Sequence, residues 1–509
     1  MTRRGLADRM ELAFCTPLAP GFVGRANEVG RRVIRSLTFL RDHENDIPWA
    51  HPVEGLIVHV DLISSTVIGI EDVGDIEVPS GSGDYTPAAV GEARTTLKPI
   101  EITQPDGPSF SVEGSKVDWQ DWSMRVDFNA REGLVLHDIR FDGRPVLTRA
   151  SVPEMVVPYG DTSPTRFWIS YFDAGEYLLG KNANHLELGC DCLGVIHYFD
   201  GHVADDHGHA VRIPDVVCLH EEDYGILWKH TEQGPVGGHV RRSRRLVISY
   251  FATIGNYDYG FYWYFYLDGS IQLEAKATGI VFVGGGRPGS VSPHAPEIAP
   301  GLFAPVHQHL FSARLDVAID GEDNRLIEID AKQIPMGADN PFGNAFTWTE
   351  TPLRTESEAQ RVADTSVARV WGGGVCVPAQ PARQADQLSP DPLTWRAAVG
   401  RSAVVGGGPG GVRRQASVGN RLPPRGTLAG RTLPQRTLRR RGPARIHRRR
   451  PDHRRRRHRV VAHLRADPHS PHRGLADHAG RLRRLLVQAL RLPGRQPRPR
   501  PARIEPGAH

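Results

Sequence analysis

Between Leu97 and Ile329 the chain is a succession of short apolar stretches cut by Gly, Pro, Asp and Asn, a punctuation that favours antiparallel β-structure. Residues 244–253, 260–267 and 271–278 are the clearest strands. Asp268-Gly269, between the last two, is a dipeptide favoured in two-residue hairpin turns. Many strands with few helices predict a large β-sandwich over 93–371. Ahead of it, Val29, Val33, Leu37 and Leu40 recur at helical spacing and predict one amphipathic helix over 26–41. Residues 56–62 and the run after them read as strands, so 1–92 is predicted to be a small α+β domain. The chain carries no internal repeat.

After Trp371 the composition changes. There is no Phe after Phe346 and no Tyr after Tyr266, and Arg, Pro, Gly and Ala dominate. The formal charge of +5 hides this break. Residues 372–509 hold 31 Arg, no Lys and 6 acids, a net of +25, and the preceding 371 residues carry −20. A segment of this kind cannot bury enough apolar surface to offset chain entropy, so 372–509 is predicted to be a disordered basic tail. Its densest Arg run, 448–459, has no interleaved aromatic residues to stack bases, which argues against a nucleic-acid partner. The Gly run at 406–411 lacks the Lys-Ser/Thr ending of a phosphate-binding loop.

No stretch approaches the roughly 18 consecutive apolar residues that span a bilayer, and residues 1–20 lack the apolar run of an export signal. The expectation is therefore a cytoplasmic protein without a membrane partner. The five cysteines are Cys15, Cys190, Cys192, Cys218 and Cys376. Cys190 and Cys192 are too close for a zinc-type CxxC clamp. A bridge from one of them to Cys218 and free core thiols fit the spacing equally.

Three segments could carry chemistry. In His307-Gln308-His309 a strand would point both imidazoles to one face, within reach of one metal; a pair of ordinary histidines fits the pattern too. Thr253-Ile254-Gly255-Asn256-Tyr257-Asp258-Tyr259 breaks the strand pattern just before a dense aromatic run, and by pattern alone is a tight turn. Tyr171-Phe172-Asp173-Ala174-Gly175-Glu176-Tyr177 sets an Asp among aromatic residues, where burial would suit it as a general base. An exposed loop carboxylate is the commoner reading of such a pattern.

Together these segments resemble the copper-containing primary amine oxidases in order and wording, and further matching runs extend the resemblance over nearly all of 10–371. The family's cofactor motif, Thr-x-x-Asn-Tyr-Asp/Glu-Tyr, is matched at every fixed position. The resemblance implies that Tyr257 is the tyrosine converted to topaquinone by copper and oxygen, with Asn256 and Asp258 beside it. It matches Asp173 to the catalytic base, Tyr171 to the gate of the substrate channel and Tyr159 to the tyrosine that hydrogen-bonds the quinone. His307 and His309 match two of three Cu(II) ligands. Asp316 and the carbonyl of Val317 match part of a peripheral calcium or manganese site, and Cys192 and Cys218 the family's disulfide. The implied protein is a homodimer with a β-sandwich catalytic domain at 93–371. The implied reaction takes a primary amine and O2 to aldehyde, ammonia and hydrogen peroxide. By the same resemblance a further α+β domain is expected ahead of these two domains, and this sequence shows no counterpart of it.

One departure bears on activity. The family's third copper histidine, in a motif resembling Leu-Thr-His-x-Pro-Arg-x-Glu-Asp-Trp-Pro, is absent, which leaves the sandwich truncated and the copper site one ligand short. Residues 460–482, back-translated with free third bases and read one base later, permit LWHTFGLTHTPRTEDWPIMPVDY, a segment of the missing kind. Its histidine spans the codons of Pro468 and His469. The same shift over 382–388 permits LGKPTSY. A frameshift close to Trp371 accounts for both, and for the Arg excess. As written, the chain is expected to be an impaired oxidase, or a remnant that acts at most as a binding protein. Resequencing the coding DNA across 367–377 tests the frameshift: one base gained or lost restores the family reading, whereas an unchanged sequence places the break in the gene itself.

Overall fold

The aromatic run shows how the architecture arises. In the strand Tyr257–Tyr266, alternate residues Tyr259, Phe261, Trp263 and Phe265 point into the main core. Tyr262, Tyr264 and Tyr266 point to the opposite face and pack with Val247. From Tyr259 onward both faces are buried, and that part of the strand carries no charged residue. It pairs with Gly238–Ile254 on one side and Ile271–Gly279 on the other, all antiparallel. A hairpin turn does form at Asp268-Gly269, but with a three-residue loop in place of two: the Tyr266 amide donates to the Ser270 carbonyl at 3.0 Å and the Gly269 amide to the Tyr266 carbonyl at 3.1 Å. Gly269 takes φ +82, and the Asp268 carboxylate accepts from the Ser270 amide at 3.0 Å.

In the computed structural model the described residues are 1–21, 25–232, 237–375, 395–397 and 481–488. The protein is mainly β. Ten strands form one antiparallel sheet, which runs from His197–Ala204 at one edge through the aromatic strand to Phe346–Leu353 at the other. A seven-stranded sheet, which includes Trp122–Asn129, Gly133–Phe141 and Arg144–Pro158, lies against it. The two share one apolar core. Trp122 stacks edge-on to Phe265 at 5.1 Å and donates from Nε1 to the Tyr266 carbonyl. A smaller sheet holds Ala13–Leu18, Val33–Leu40, Pro52–Asp61 and Thr66–Asp72. No helix among the described residues is long and apolar enough to cross a membrane.

Two expectations are corrected. Residues 26–41 are not a helix: after a turn, Val33–Leu40 is a strand between two others, and Val29 is exposed. Every residue from Arg35 to Leu40 is buried, so two-sided burial removes the alternation that marks a strand. The α+β character of 1–92 goes with that helix. The α-helix here is the four-residue Pro87–Val90, beside the four-stranded sheet.

Beyond Trp371 the chain is not wholly without structure. Val370–Val375 pairs with Asn324–Gln333, and the backbones of Trp395–Ala397 and Arg481–Gln488 fill the sheet between it and Ile271–Gly279. An open sheet edge presents unpaired N–H and C=O groups that an extended segment can satisfy. The rest of the expected tail, with Cys376, lies outside the described residues.

One buried ion pair ties the small sheet to the sandwich. Arg166 Nη1 and Nη2 donate to the Glu54 carboxylate at 2.6 and 2.5 Å, and the Thr165 hydroxyl and Gly285 amide donate to it as well. Burial pushes the Glu54 carboxyl up, but Arg166 and these donors outweigh it and hold the group below its ordinary range. Removing one member strands the other in the interior. Glu54→Ala should therefore cost about 3–5 kcal/mol in urea unfolding, and adding Arg166→Met should recover much of it.

Candidate active site

The hairpin that carries Tyr257 is fixed from both flanks. Ile254 pairs with Tyr257, so Gly255, at φ +62, and Asn256 form a two-residue turn. Asn256 Nδ2 donates to the Ile280 carbonyl at 2.6 Å, and the Ile280 amide donates back to the Asn256 carbonyl at 2.7 Å. Gly279, opposite Tyr257, has φ +88, and a Cβ there would lie 2.7 Å from the Asn256 oxygen. This close approach requires glycine. On the other flank the Thr253 hydroxyl donates to Asp258 Oδ1 at 2.6 Å.

The Tyr257 hydroxyl is surrounded by partners. The Phe282 amide donates to it at 3.2 Å, and the Tyr159 hydroxyl lies at 3.4 Å. His307 Nε2 is 2.8 Å away. His307 Nδ1 lies 2.8 Å from the Pro305 carbonyl, which can only accept, so Nδ1 carries the ring proton and Nε2 accepts from Tyr257. Tyr159 stacks on the His307 ring at 4.7 Å and 16°.

A second file of groups runs beside the first. His309 Nδ1 is 3.1 Å from the Tyr259 hydroxyl, which also hydrogen-bonds the Asp173 carboxylate. The hydroxyl has one proton, and a carboxylate accepts it. Tyr259 therefore accepts from His309 Nδ1–H, and the His309 Nε2 lone pair is left available.

These groups are dry. Burial pushes the Asp173 carboxyl up to about 7, against the Tyr259 hydrogen bond, and Glu176 and Glu154 add to the rise. The Tyr257 hydroxyl is pushed up to about 12 by burial, and His309 is held well below its usual range by burial and by His307. Tyr171 meets Tyr159 and Tyr177 edge-on at 5.9 and 6.1 Å, and its buried hydroxyl has no hydrogen-bond partner among the described residues.

The structure thus brings together Tyr159, Tyr171, Asp173, Asn256, Tyr257, Asp258, His307 and His309. Asp173 does lie in a turn, just after the strand Ser170–Phe172, but the exposed reading does not hold, since it is 2% exposed. Two site groups have no part in the sequence argument. The Tyr259 hydroxyl was legible as the residue two along from Tyr257 on the same strand face, whereas the Phe282 amide left no signal. Asp316 stands apart, against Arg314 Nε at 3.2 Å, with no cluster of three metal-type ligands around it among the described residues. The Cys192–Cys218 bridge is not formed: both are thiols, hydrogen-bonded to each other, Cys192 also to the Tyr198 hydroxyl at 3.5 Å and Cys218 to His220 Nδ1 at 3.3 Å.

Two neutral imidazoles with rings 5.0 Å apart suit copper in donor type. The number falls one short among the described residues, where the one three-ligand cluster is Asp42, Asp46 and His51, elsewhere in the fold. Nearly all of 460–482, where the shifted frame restores a histidine, lies outside the described residues.

The model of the copper amine oxidase enzyme domain matches residues 111–373. The chain belongs to the copper amine oxidase family. It is 54% identical over 376 residues to histamine oxidase of Arthrobacter globiformis, a match over 73% of this chain and 54% of that protein. To a primary amine oxidase of Arthrobacter sp. (strain P1) it is 48% identical over 376 residues, 73% of this chain and 57% of the relative. The chain thus spans about half the length of these curated relatives. Among solved structures, a copper-containing benzylamine oxidase from Hansenula polymorpha superposes with a TM-score of 0.67. It is 30% identical over 73% of this chain and 60% of that one. Copper amine oxidases are oxidoreductases, and copper and topaquinone are the cofactors that family membership implies.

The raised Asp173 carboxyl makes a stability prediction. The folded state holds this proton more tightly than the unfolded chain, so the penalty is absent at low pH and grows as pH rises from about 4 past 7. At roughly 1.4 kcal/mol per tenfold change in proton affinity, it approaches about 4 kcal/mol. Asp173→Asn should therefore unfold at a higher temperature than the parent at pH 8, with the difference shrinking at pH 5.

Proposed function

We propose that the site is built for oxidative deamination of primary amines, and that the 509-residue chain is impaired in it. The observation that carries this reading is the convergence of Tyr257, Asp173 and two neutral imidazoles in one dry site. His307 and His309 would hold copper through their Nε2 atoms. Copper and a topaquinone derived from Tyr257 would supply, when present, an electrophilic carbonyl and a two-electron sink. The remaining work falls to the chain itself. Asp173, ionised above about pH 7, takes the proton from the amine's α-carbon onto its carboxylate. Tyr259 holds that carboxylate in place, the Tyr159 hydroxyl steadies the oxygen of residue 257, and the Tyr171 ring shields the site from water. Asn256 and Asp258 fix the hairpin around residue 257.

Impairment follows from coordination number, since two imidazoles bind Cu(II) more weakly than three. A remnant that only binds partners is the alternative. We also propose a homodimer. Two hairpins carry exposed Ile226, Trp228 and Val240 in one case and Phe346 and Trp348 in the other, which is apolar surface of the kind that subunits cover. A cytoplasmic location is in keeping with four thiols among the described cysteines.

The experiment loads the purified chain with copper in air, then applies a redox-cycling quinone stain and an amine-dependent peroxide assay. The chain as written should give neither signal, and a version with the frame restored near Trp371 should give both. Peroxide from the chain as written would overturn the impairment. A restored version with no quinone would overturn the function.

A further inference from the structure

Asp173 follows the strand Ser170–Phe172 and opens a tight turn. Within it the Glu176 amide donates to the Phe172 carbonyl at 2.7 Å, and the Leu178 amide to the Ala174 carbonyl at 3.2 Å. A turn of this kind leaves its first amides without partners inside it. Here those amides belong to Ala174 and Gly175, and both donate to Glu154 Oε1, at 3.0 and 3.1 Å. The same oxygen accepts from the Met155 amide at 3.0 Å, and Oε2 accepts from Arg131 Nη2 at 3.1 Å. Glu154 comes from the neighbouring strand Arg144–Pro158, whose Met155 carbonyl takes the Asp173 amide at 3.2 Å. The fit is close: a Cβ on Gly175 would lie 2.7 Å from Glu154 Oε2.

We propose that Glu154 is a positioning residue for Asp173. By occupying the Ala174 and Gly175 amides, it keeps the Asp173 carboxylate from folding back onto them and leaves it aimed at the Tyr259 hydroxyl. An aspartate ahead of free amides ordinarily bonds them itself, most readily the one two residues on, which for Asp173 is Gly175. Phe172, the residue before, has no side-chain oxygen to offer in its place. With both amides already taken by Glu154, the Asp173 carboxylate hydrogen-bonds Tyr259 in the interior instead. That Asp173 serves as a base rests on the proposed amine oxidation; that Glu154 frees its carboxylate does not.

The two placements differ in what they do to the carboxyl. Folded back, it would accept a backbone N–H bond, which favours the charged form and loosens the proton. Aimed inward, it has the Tyr259 hydrogen bond against burial, and burial pushes it up to about 7. The ionisable side chains around it are Glu154, Tyr259 and Tyr257 from other strands, and Tyr171, Glu176 and Tyr177 from its own segment, with His309 beyond Tyr259. Glu154 therefore acts on Asp173 in two ways. Its charge adds to the rise across space, and its hydrogen bonds hold the geometry in which burial acts. Charge and reach can be altered one at a time, which separates the two.

The test follows the Asp173 carboxyl by infrared spectroscopy in the full chain, made with aspartate isotope-labelled at its side-chain carboxyl, without copper or amine. Loss of the band in Asp173→Asn identifies it. Glu154→Gln removes the charge and keeps an oxygen on the two amides, so the midpoint should stay within roughly one pH unit of the parent's. Glu154→Asp keeps the charge but is one methylene too short to reach them, so the midpoint should fall by about two pH units. An effect of charge alone gives the reverse order. That reverse order, or a midpoint that neither variant moves, would overturn the proposal. Should Glu154→Asp not fold, Gly175→Ala takes its place, since its Cβ displaces the Glu154 carboxylate; there the midpoint should fall by at least about one pH unit, and no fall would overturn the proposal. The expected midpoints, in a chain that oxidises no amine even with its frame restored, would leave this inference standing and count against the oxidase reading alone.

Discussion

The hydrogen bond from the Tyr257 hydroxyl to His307 Nε2 joins the two halves of the site, and most of the local architecture serves to place its ends. Tyr257 opens a strand of the ten-stranded sheet, and His307 lies just before a strand that belongs to the other sheet. Two residues further along each segment, Tyr259 meets His309. Strand geometry repeats every two residues, so two chain segments crossing once yield two parallel files of donors and acceptors. One file ends at a carbonyl, the other at a carboxylate. Each fixes the proton on Nδ1 of its histidine, which leaves Nε2 of His307 to accept from Tyr257 and Nε2 of His309 with an available lone pair.

The electrostatics of the site come from dryness more than from charge. Asp173, Tyr257 and His309 are all shifted toward their neutral forms, and burial is the first cause in each. A neutral histidine can ligate a metal, and a carboxyl poised near neutral pH can exchange a proton. The aromatic packing that makes the core is thus also what tunes the reactive groups. The rings of Tyr159, Tyr171 and Phe282 displace water and do so with few polar atoms.

Much of this was legible in the sequence, for identifiable reasons. The strands around Asp268-Gly269 announce themselves because the turn needs glycine and the flanking residues are β-formers. The HxH pair and the Thr253–Tyr259 motif are local, so the family resemblance can be read from them, although by pattern alone they pass equally for ordinary histidines and a tight turn. What was lost is non-local. The strand Val33–Leu40 reads as a helix because two-sided burial erases its period. Asp173 reads as an exposed residue until the packing that buries it is known, and one partner of the Tyr257 hydroxyl, the Phe282 amide, comes from a segment with no motif of its own.

Glu54 belongs to the small sheet near the start of the chain, yet its carboxylate holds the loop after Tyr159, through Thr165 and Arg166, and the loop after Phe282, through Gly285. Those are the two loops that bring Tyr159 and Phe282 to the Tyr257 oxygen. A boundary drawn in sequence near residue 92 is therefore not a boundary in energy. The sandwich cut free of the first sheet would lose its keystone, with the Arg166 guanidinium left to the more distant Asp161 carboxylate and the Val283 carbonyl. In this molecule, modularity ends where the reactive centre begins.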